Sequence, residues 1–179
     1  FNMTVGDGFL YFATQNPDFS YSIWKSDGTT EGTVLAKEIA SGFSTNLREF
    51  TIVNGTLYFR LTSMYDRDQL WRSDGTEAGT IEFLPSQTKS DLRYLYQLTP
   101  IGDTLYFSAY AGIADIELWK TDGTAAGTSM VLDVFPGPVG SQALPVTRFH
   151  DKVLFTAFDE LSGKELWVTD GTAGGTSLV

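Results

Sequence analysis

Tryptophan recurs at Trp24, Trp71, Trp119 and Trp167, at intervals of 47, 48 and 48 residues. Each opens the same phrase, from Trp24-Lys25-Ser26-Asp27-Gly28-Thr29-Thr30-Glu31-Gly32-Thr33 in the first copy to Trp167-Val168-Thr169-Asp170-Gly171-Thr172-Ala173-Gly174-Gly175-Thr176 in the last. A period of this length restricts a chain to architectures in which one small supersecondary unit is stacked on the next, because no unit can bury its apolar surface alone. The fold therefore follows from what one unit is.

A unit opens with an apolar run such as Phe50-Thr51-Ile52-Val53 and a tight turn, Asn54-Gly55. The equivalent turns are Asp7-Gly8, Gly102-Asp103 and His150-Asp151. Asn-Gly and Asp-Gly accept positive φ and suit two-residue hairpins, and His150-Asp151 is placed with them by its register. Next come Leu10-Tyr11-Phe12, Leu57-Tyr58-Phe59, Leu105-Tyr106-Phe107 and Val153-Leu154-Phe155. These runs are apolar at every position, as in a strand covered on both faces. A third segment ends in the tryptophan, 12 residues after the phenylalanine in all four copies, and a fourth follows the Gly-Thr pair.

Four short strands with their turns fill such a period, which is typical of propeller blades. The expectation is an all-β chain, a β-propeller or propeller segment built from four four-stranded antiparallel blades at about residues 1–46, 47–94, 95–142 and 143–179. They form a single propeller-like repeat domain. Phe1 begins inside one strand and Val179 ends inside another, so a fragment of a longer chain is expected. No segment shows the 3.6-residue period of a helical solenoid, and the hairpin turns contradict the parallel rungs of a β-helix.

Composition narrows the partners. The net charge is −10, and the 12 basic residues are scattered. Such a surface repels phosphate backbones and anionic headgroups, which speaks against nucleic acid. No apolar stretch approaches the ~20 residues that span a bilayer, so no direct membrane insertion is expected. With no cysteine there is no disulfide or thiolate metal site, and His150 is the single histidine. No P-loop, dinucleotide fingerprint or His-Glu metal motif is present.

The repeated loop is read as structural. Asp27 and its counterparts Asp74, Asp122 and Asp170 would accept hydrogen bonds from amides two residues on, Gly28 would supply positive φ, and Thr29 and Thr33 would cap remaining backbone groups. Calcium is the alternative ligand for these aspartates. It wants six to eight oxygens, and Glu31 and Glu77 add a second carboxylate in only two loops, so no cofactor is expected. The four tryptophans are expected to fill the contacts between adjacent blades, each burying about 150–250 Å².

Two copies, Glu117-Leu118-Trp119-Lys120-Thr121-Asp122-Gly123-Thr124 and Glu165-Leu166-Trp167-Val168-Thr169-Asp170-Gly171-Thr172, carry a phrase that resembles the ELWxxDGT repeat family of exported and surface-associated bacterial proteins. The first two copies depart from it, with Ser22-Ile23 and Gln69-Leu70 before the tryptophan. The resemblance covers essentially the whole chain and implies an exported, extracellular or cell-surface β-repeat protein. It brings no catalytic residues.

Function is expected at the blade ends opposite the repeated loops, where the connections between second and third strands, taken as 13–22, 60–69, 108–117 and 156–165, keep their length and change their residues. They offer Asp18 and Tyr21, Tyr65 and Asp66, Tyr110 and Asp115, and Phe158 and Asp159 as ligand-binding candidates. Aromatic and acidic side chains together suit a sugar or a protein surface. The expected function is a non-catalytic binding or adhesion module for protein or glycan at the cell surface. The alternatives are a purely structural repeat among other subunits of a larger assembly, and a glycoside hydrolase using Asp115, Asp159 or Glu160.

Overall fold

The structure, a computed structural model, describes residues 2–39, 45–63, 68–83, 92–111, 114–137 and 140–179, without the side chains of 63, 92, 93, 111, 114 and 115. Among the described residues every regular element is a strand. The first sheet is β1 (Met3–Gly6), β2 (Phe9–Gln15), β3 (Tyr21–Ser26) and β4 (Val34–Ile39). The second is β5 (Thr45–Val53), β6 (Thr56–Ser63), β7 (Gln69–Ser73) and β8 (Ile81–Glu82). The third is β9 (Leu92–Ile101), β10 (Thr104–Ala111), β11 (Ala114–Thr121) and β12 (Ser129–Leu132). The fourth is β13 (Leu144–Phe149), β14 (Lys152–Asp159), β15 (Gly163–Thr169) and β16 (Ser177–Leu178). Each sheet is antiparallel and takes its four strands in chain order.

The hairpins follow from turn chemistry. Asp7 and Gly8 have φ of 52° and 79°, and Asn54 and Gly55 47° and 71°, the paired left-handed residues of a type I′ turn. Gly102 and His150, at 59° and 57°, are left-handed at the first turn position alone, and their strands still close across two residues as Ile101↔Thr104 and Phe149↔Lys152.

The constant spacing of 12 fixes the next hairpin. Phe12 lies opposite Trp24, Phe59 opposite Trp71, Phe107 opposite Trp119 and Phe155 opposite Trp167. Ring centroids are 6.2 Å apart in the first pair, 6.0 Å in the second and 6.2 Å in the fourth. Because side chains alternate along a strand, this register sends Leu and Phe of each Leu-Tyr-Phe run to the tryptophan side and Tyr to the other.

Within each pair of sheets the tyrosine side of one is then buried against the tryptophan side of the next. The chain divides into two compact units, Phe1–Leu84 and Pro85–Val179, each holding two sheets. In the first unit, Tyr11, Ala13, Ile23 and Ala36 of the first sheet share a core with Leu57, Phe59 and Trp71 of the second. In the second unit, Tyr106, Leu118 and Val131 of the third sheet share a core with Val153, Phe155 and Trp167 of the fourth. Trp71 and Trp167 thus lie between adjacent sheets, as expected, although each is only partly buried. Trp119 is buried, and Trp24 is half-buried on a face that no other sheet of its unit covers.

The strands run further than the apolar runs suggested. β5 and β9 span nine and ten residues and contain register shifts, with Glu49, Tyr94 and Gln97 at positive φ. A bulge inserts a residue and breaks the alternation by which a strand is recognised. The expected long connections at 13–22, 60–69, 108–117 and 156–165 shrink accordingly. In the first, third and fourth sheets Tyr21, Tyr110, Asp115, Phe158 and Asp159 belong to strand ends.

Full burial of Phe59 and partial burial of Phe12 lead to a direct comparison. Phe59→Ala is expected to cost about 3–5 kcal/mol and Phe12→Ala about 1–2 kcal/mol. Urea unfolding followed by tryptophan fluorescence measures both, and equal losses would contradict the assignment of faces.

Candidate functional site

The two ends of each sheet are chemically different. One end carries the first hairpin and the Asp-Gly-Thr loop, and the other carries the connection between second and third strands.

The Asp-Gly-Thr loop is the same hydrogen-bond set built four times. In the first copy, Asp27 Oδ1 accepts from the amide of Thr29 at 2.9 Å and from its hydroxyl at 2.7 Å. The amide of Gly32 donates to Thr29 Oγ1 at 2.9 Å, and the Thr33 hydroxyl donates to the Thr29 carbonyl at 2.6 Å. Asp74, Asp122 and Asp170 repeat these contacts with Thr76, Thr124 and Thr172. The expected roles of the aspartate, the first glycine and the two threonines are all present, Gly28 standing at φ 93°.

Two further parts of the loop escaped the sequence reading. A hydroxyl two residues after each tryptophan, Ser26, Ser73, Thr121 or Thr169, accepts the amide of the first glycine and pairs with the last threonine's hydroxyl at 2.6–2.7 Å. Its signal was a Ser or Thr at the same place in every copy. The second glycine is needed for space: a Cβ on Gly32, Gly79, Gly127 or Gly175 would lie 2.0–2.1 Å from the aspartate carboxylate of its own loop.

The loops also touch the neighbouring sheet within each unit. The Lys25 ammonium donates to the Asp74 carbonyl at 3.3 Å while lying 4.2 Å from the centre of the Phe9 ring. In the second unit, Tyr106 and Lys120 stand over Gly171, where an added Cβ would lie 2.9 Å from the tyrosine oxygen.

Electrostatics follow from these bonds. Hydrogen bonds from Thr29, through its amide and then its hydroxyl, hold Asp27 below the usual carboxylate range. In Asp74, Asp122 and Asp170 the hydroxyl of the threonine is the larger cause, then its amide. Glu117 moves the other way, because burial pushes its carboxyl up and hydrogen bonds from Ser141 and Val134 only partly compensate. It accepts from the Ser141 amide at 2.8 Å and hydroxyl at 2.5 Å, and so ties the connection between the third and fourth sheets to β11. Among the described residues no three acidic or histidine side chains gather as a metal-binding cluster.

At the opposite ends, the candidates have separate surroundings. Asp18 is exposed and accepts from the Ser20 amide and hydroxyl, which hold it below the usual range. Tyr21 is buried, donates to the Thr45 carbonyl at 3.3 Å and lines a hollow of about 230 Å³ with Asn2, Ala13 and Gln15. Tyr110 is half-buried and meets Tyr94 edge to face at 6.3 Å. Tyr94 was not foreseen; it is 64% exposed at φ 49°, a backbone state that bulky residues seldom adopt. Phe158 is half-buried, with the Lys164 ammonium 5.8 Å from its ring centre. Asp159 accepts from the amides of Leu161 and Ser162 and is held low by them. Tyr65 and Asp66 lie outside the described residues, as does the side chain of Asp115. The structure brings Asp18 and Tyr21 to one connection and Phe158 and Asp159 to another, with no shared cluster among the described side chains.

No family model matches the chain, and a comparison with curated proteins found no match.

Gly127→Ala is expected to lose about 1–3 kcal/mol through overpacking, and adding Asp122→Ala is expected to recover part of that loss, because the atoms that clash are then gone. A double-mutant cycle from denaturant midpoints checks this, strict additivity being the contrary result. For pH, the four aspartates stabilise the fold above their ordinary value of 3.8, and this is lost as pH falls through their depressed folded values. Glu117, raised above its ordinary 4.5, instead weakens the fold as pH rises from that value through its folded one. Glu117→Gln is therefore expected to gain stability relative to the parent between pH 4 and pH 7, read from denaturation midpoints at about those two pH values.

A solved structure supplies the fold. The chain superposes on the β-propeller domain of the Trilobed protease from Pyrococcus furiosus, described as having an open velcro topology, with a TM-score of 0.56 and 12% identity. The match covers 99% of this chain and 53% of that one, so this chain spans about half the length of the neighbour. The four antiparallel sheets are propeller-like blades.

Proposed function

We propose that this chain is a non-catalytic binding module of an exported or cell-surface protein, and that it recognises protein or glycan through the sheet ends opposite the Asp-Gly-Thr loops. The observation that carries this reading is the contrast between the two ends. At the repeated end every aspartate Oδ1 takes both hydrogen bonds of its own threonine, four times over. At the other end the first, third and fourth sheets, among the described residues, present different things: Asp18 in a tight turn, the Tyr94–Tyr110 pair, and Phe158 beside Lys164 and Asp159.

Rigid frames with differing loop residues are a common way to build recognition surfaces. Tyrosine offers a large, amphipathic contact at small entropy cost. The resemblance to the ELWxxDGT repeat supports export and a surface location. The neighbour's propeller is one domain of a protease, which fits a module that accompanies other domains.

A glycan array together with a pull-down from outer-surface extract tests the reading. Capture is expected with the parent chain, weakened about tenfold, or 1.4 kcal/mol, by Tyr94→Ala with unchanged thermal stability. Blank results in both formats would remove it.

A further inference from the structure

The Leu-Tyr-Phe strand shows which sheet faces are covered. On the tryptophan side, Leu57 and Phe59, Leu105 and Phe107, and Val153 and Phe155 are all buried. Their counterparts in the first sheet, Leu10 and Phe12, are only half-buried. The same face carries Trp24 and, across the β1 ladder, Met3 opposite Phe12 and Val5 opposite Leu10, which are 56% and 73% exposed. The opposite side behaves in mirror fashion. Tyr11, Tyr58 and Tyr106 are buried there, as are Ile23, Leu70 and Leu118. In the fourth sheet, Leu154 at the tyrosine position is half-buried and Leu166 is 39% exposed.

These two open faces are of complementary kinds. Twice in the chain a Tyr and Ile/Leu face packs on a Leu/Val, Phe and Trp face: Tyr11 and Ile23 on Leu57, Phe59 and Trp71, then Tyr106 and Leu118 on Val153, Phe155 and Trp167. The open side of the fourth sheet, Leu154 and Leu166, is of the first kind. The open side of the first sheet, Leu10, Phe12 and Trp24, is of the second. We propose that the occupant of each is a second copy of this chain, the fourth sheet of one copy docking on the first sheet of the next.

The pairing reuses a contact that the chain makes within each unit. The solved propeller chain is about twice as long as this one, so two copies supply a comparable length of chain. Since the patches differ, the contact is heterologous: it closes into a ring or continues head to tail. Each copy carries a net charge of −10, so association strengthens as salt screens that repulsion.

Sedimentation velocity of residues 1–179 up to about 100 µM tests the proposal, with Val5→Glu and Leu166→Glu as separate variants. The parent chain is expected to form dimers or larger species, and each variant to stay monomeric with a parent-like melting curve. An equimolar mixture of the two variants is expected to give a one-to-one heterodimer, because each retains the face that the other lacks. Met3→Glu, on the same exposed face, is expected to behave as Val5→Glu does. A monomeric parent, self-association of either variant, or a mixture that stays monomeric overturns the proposal; the first is also the result expected if the faces are covered by blades of a longer polypeptide or by another protein.

Discussion

The cross-strand pair of a phenylalanine with the tryptophan 12 residues later organises each sheet. It sets the register of the central hairpin, and a slip by one residue would turn every apolar side chain to the wrong face. With the register fixed, Leu and Phe of one strand point to the tryptophan side and Tyr points away, so each sheet has two apolar faces instead of one. A sheet of that kind is stable only between neighbours. The cores around Phe59 and around Phe155 are the direct result, each filled from two sheets.

The Asp-Gly-Thr loop closes each sheet with its own side chains and the hydroxyl that precedes it. Its aspartate, its threonine and the hydroxyl two residues after the tryptophan satisfy the backbone amides of a turn that would otherwise expose them. The second glycine leaves room for the carboxylate. Side chains spent on holding a turn are poor material for recognising a ligand, which supports the proposal that recognition lies at the sheet end without the motif. Glu117 shows the same economy in the interior, where one buried carboxylate collects the amides of a connecting segment.

Much of the fold was legible in the sequence. The period, the Asn-Gly and Asp-Gly turns and the spacing of 12 each record a geometric requirement repeated in every copy, and repetition separates requirement from accident. The bulged strands were not legible, because Glu49, Tyr94 and Gln97 take left-handed φ with no glycine to announce it. The candidate site was less readable for a related reason. Tyr21 has the composition of a contact residue, yet its ring belongs to the first unit's core, whereas Tyr94, which is exposed, sits in a strand that no repeat unit marks as special. Residues that differ between copies carry no internal comparison from which a role can be inferred.

The register of the central hairpins is open to direct observation in solution. Nuclear Overhauser contacts between each tryptophan and the phenylalanine opposite it are predicted for Trp24 with Phe12, Trp71 with Phe59, Trp119 with Phe107 and Trp167 with Phe155. Contacts shifted by one residue in any sheet, or tryptophans with no cross-strand phenylalanine, would contradict the account.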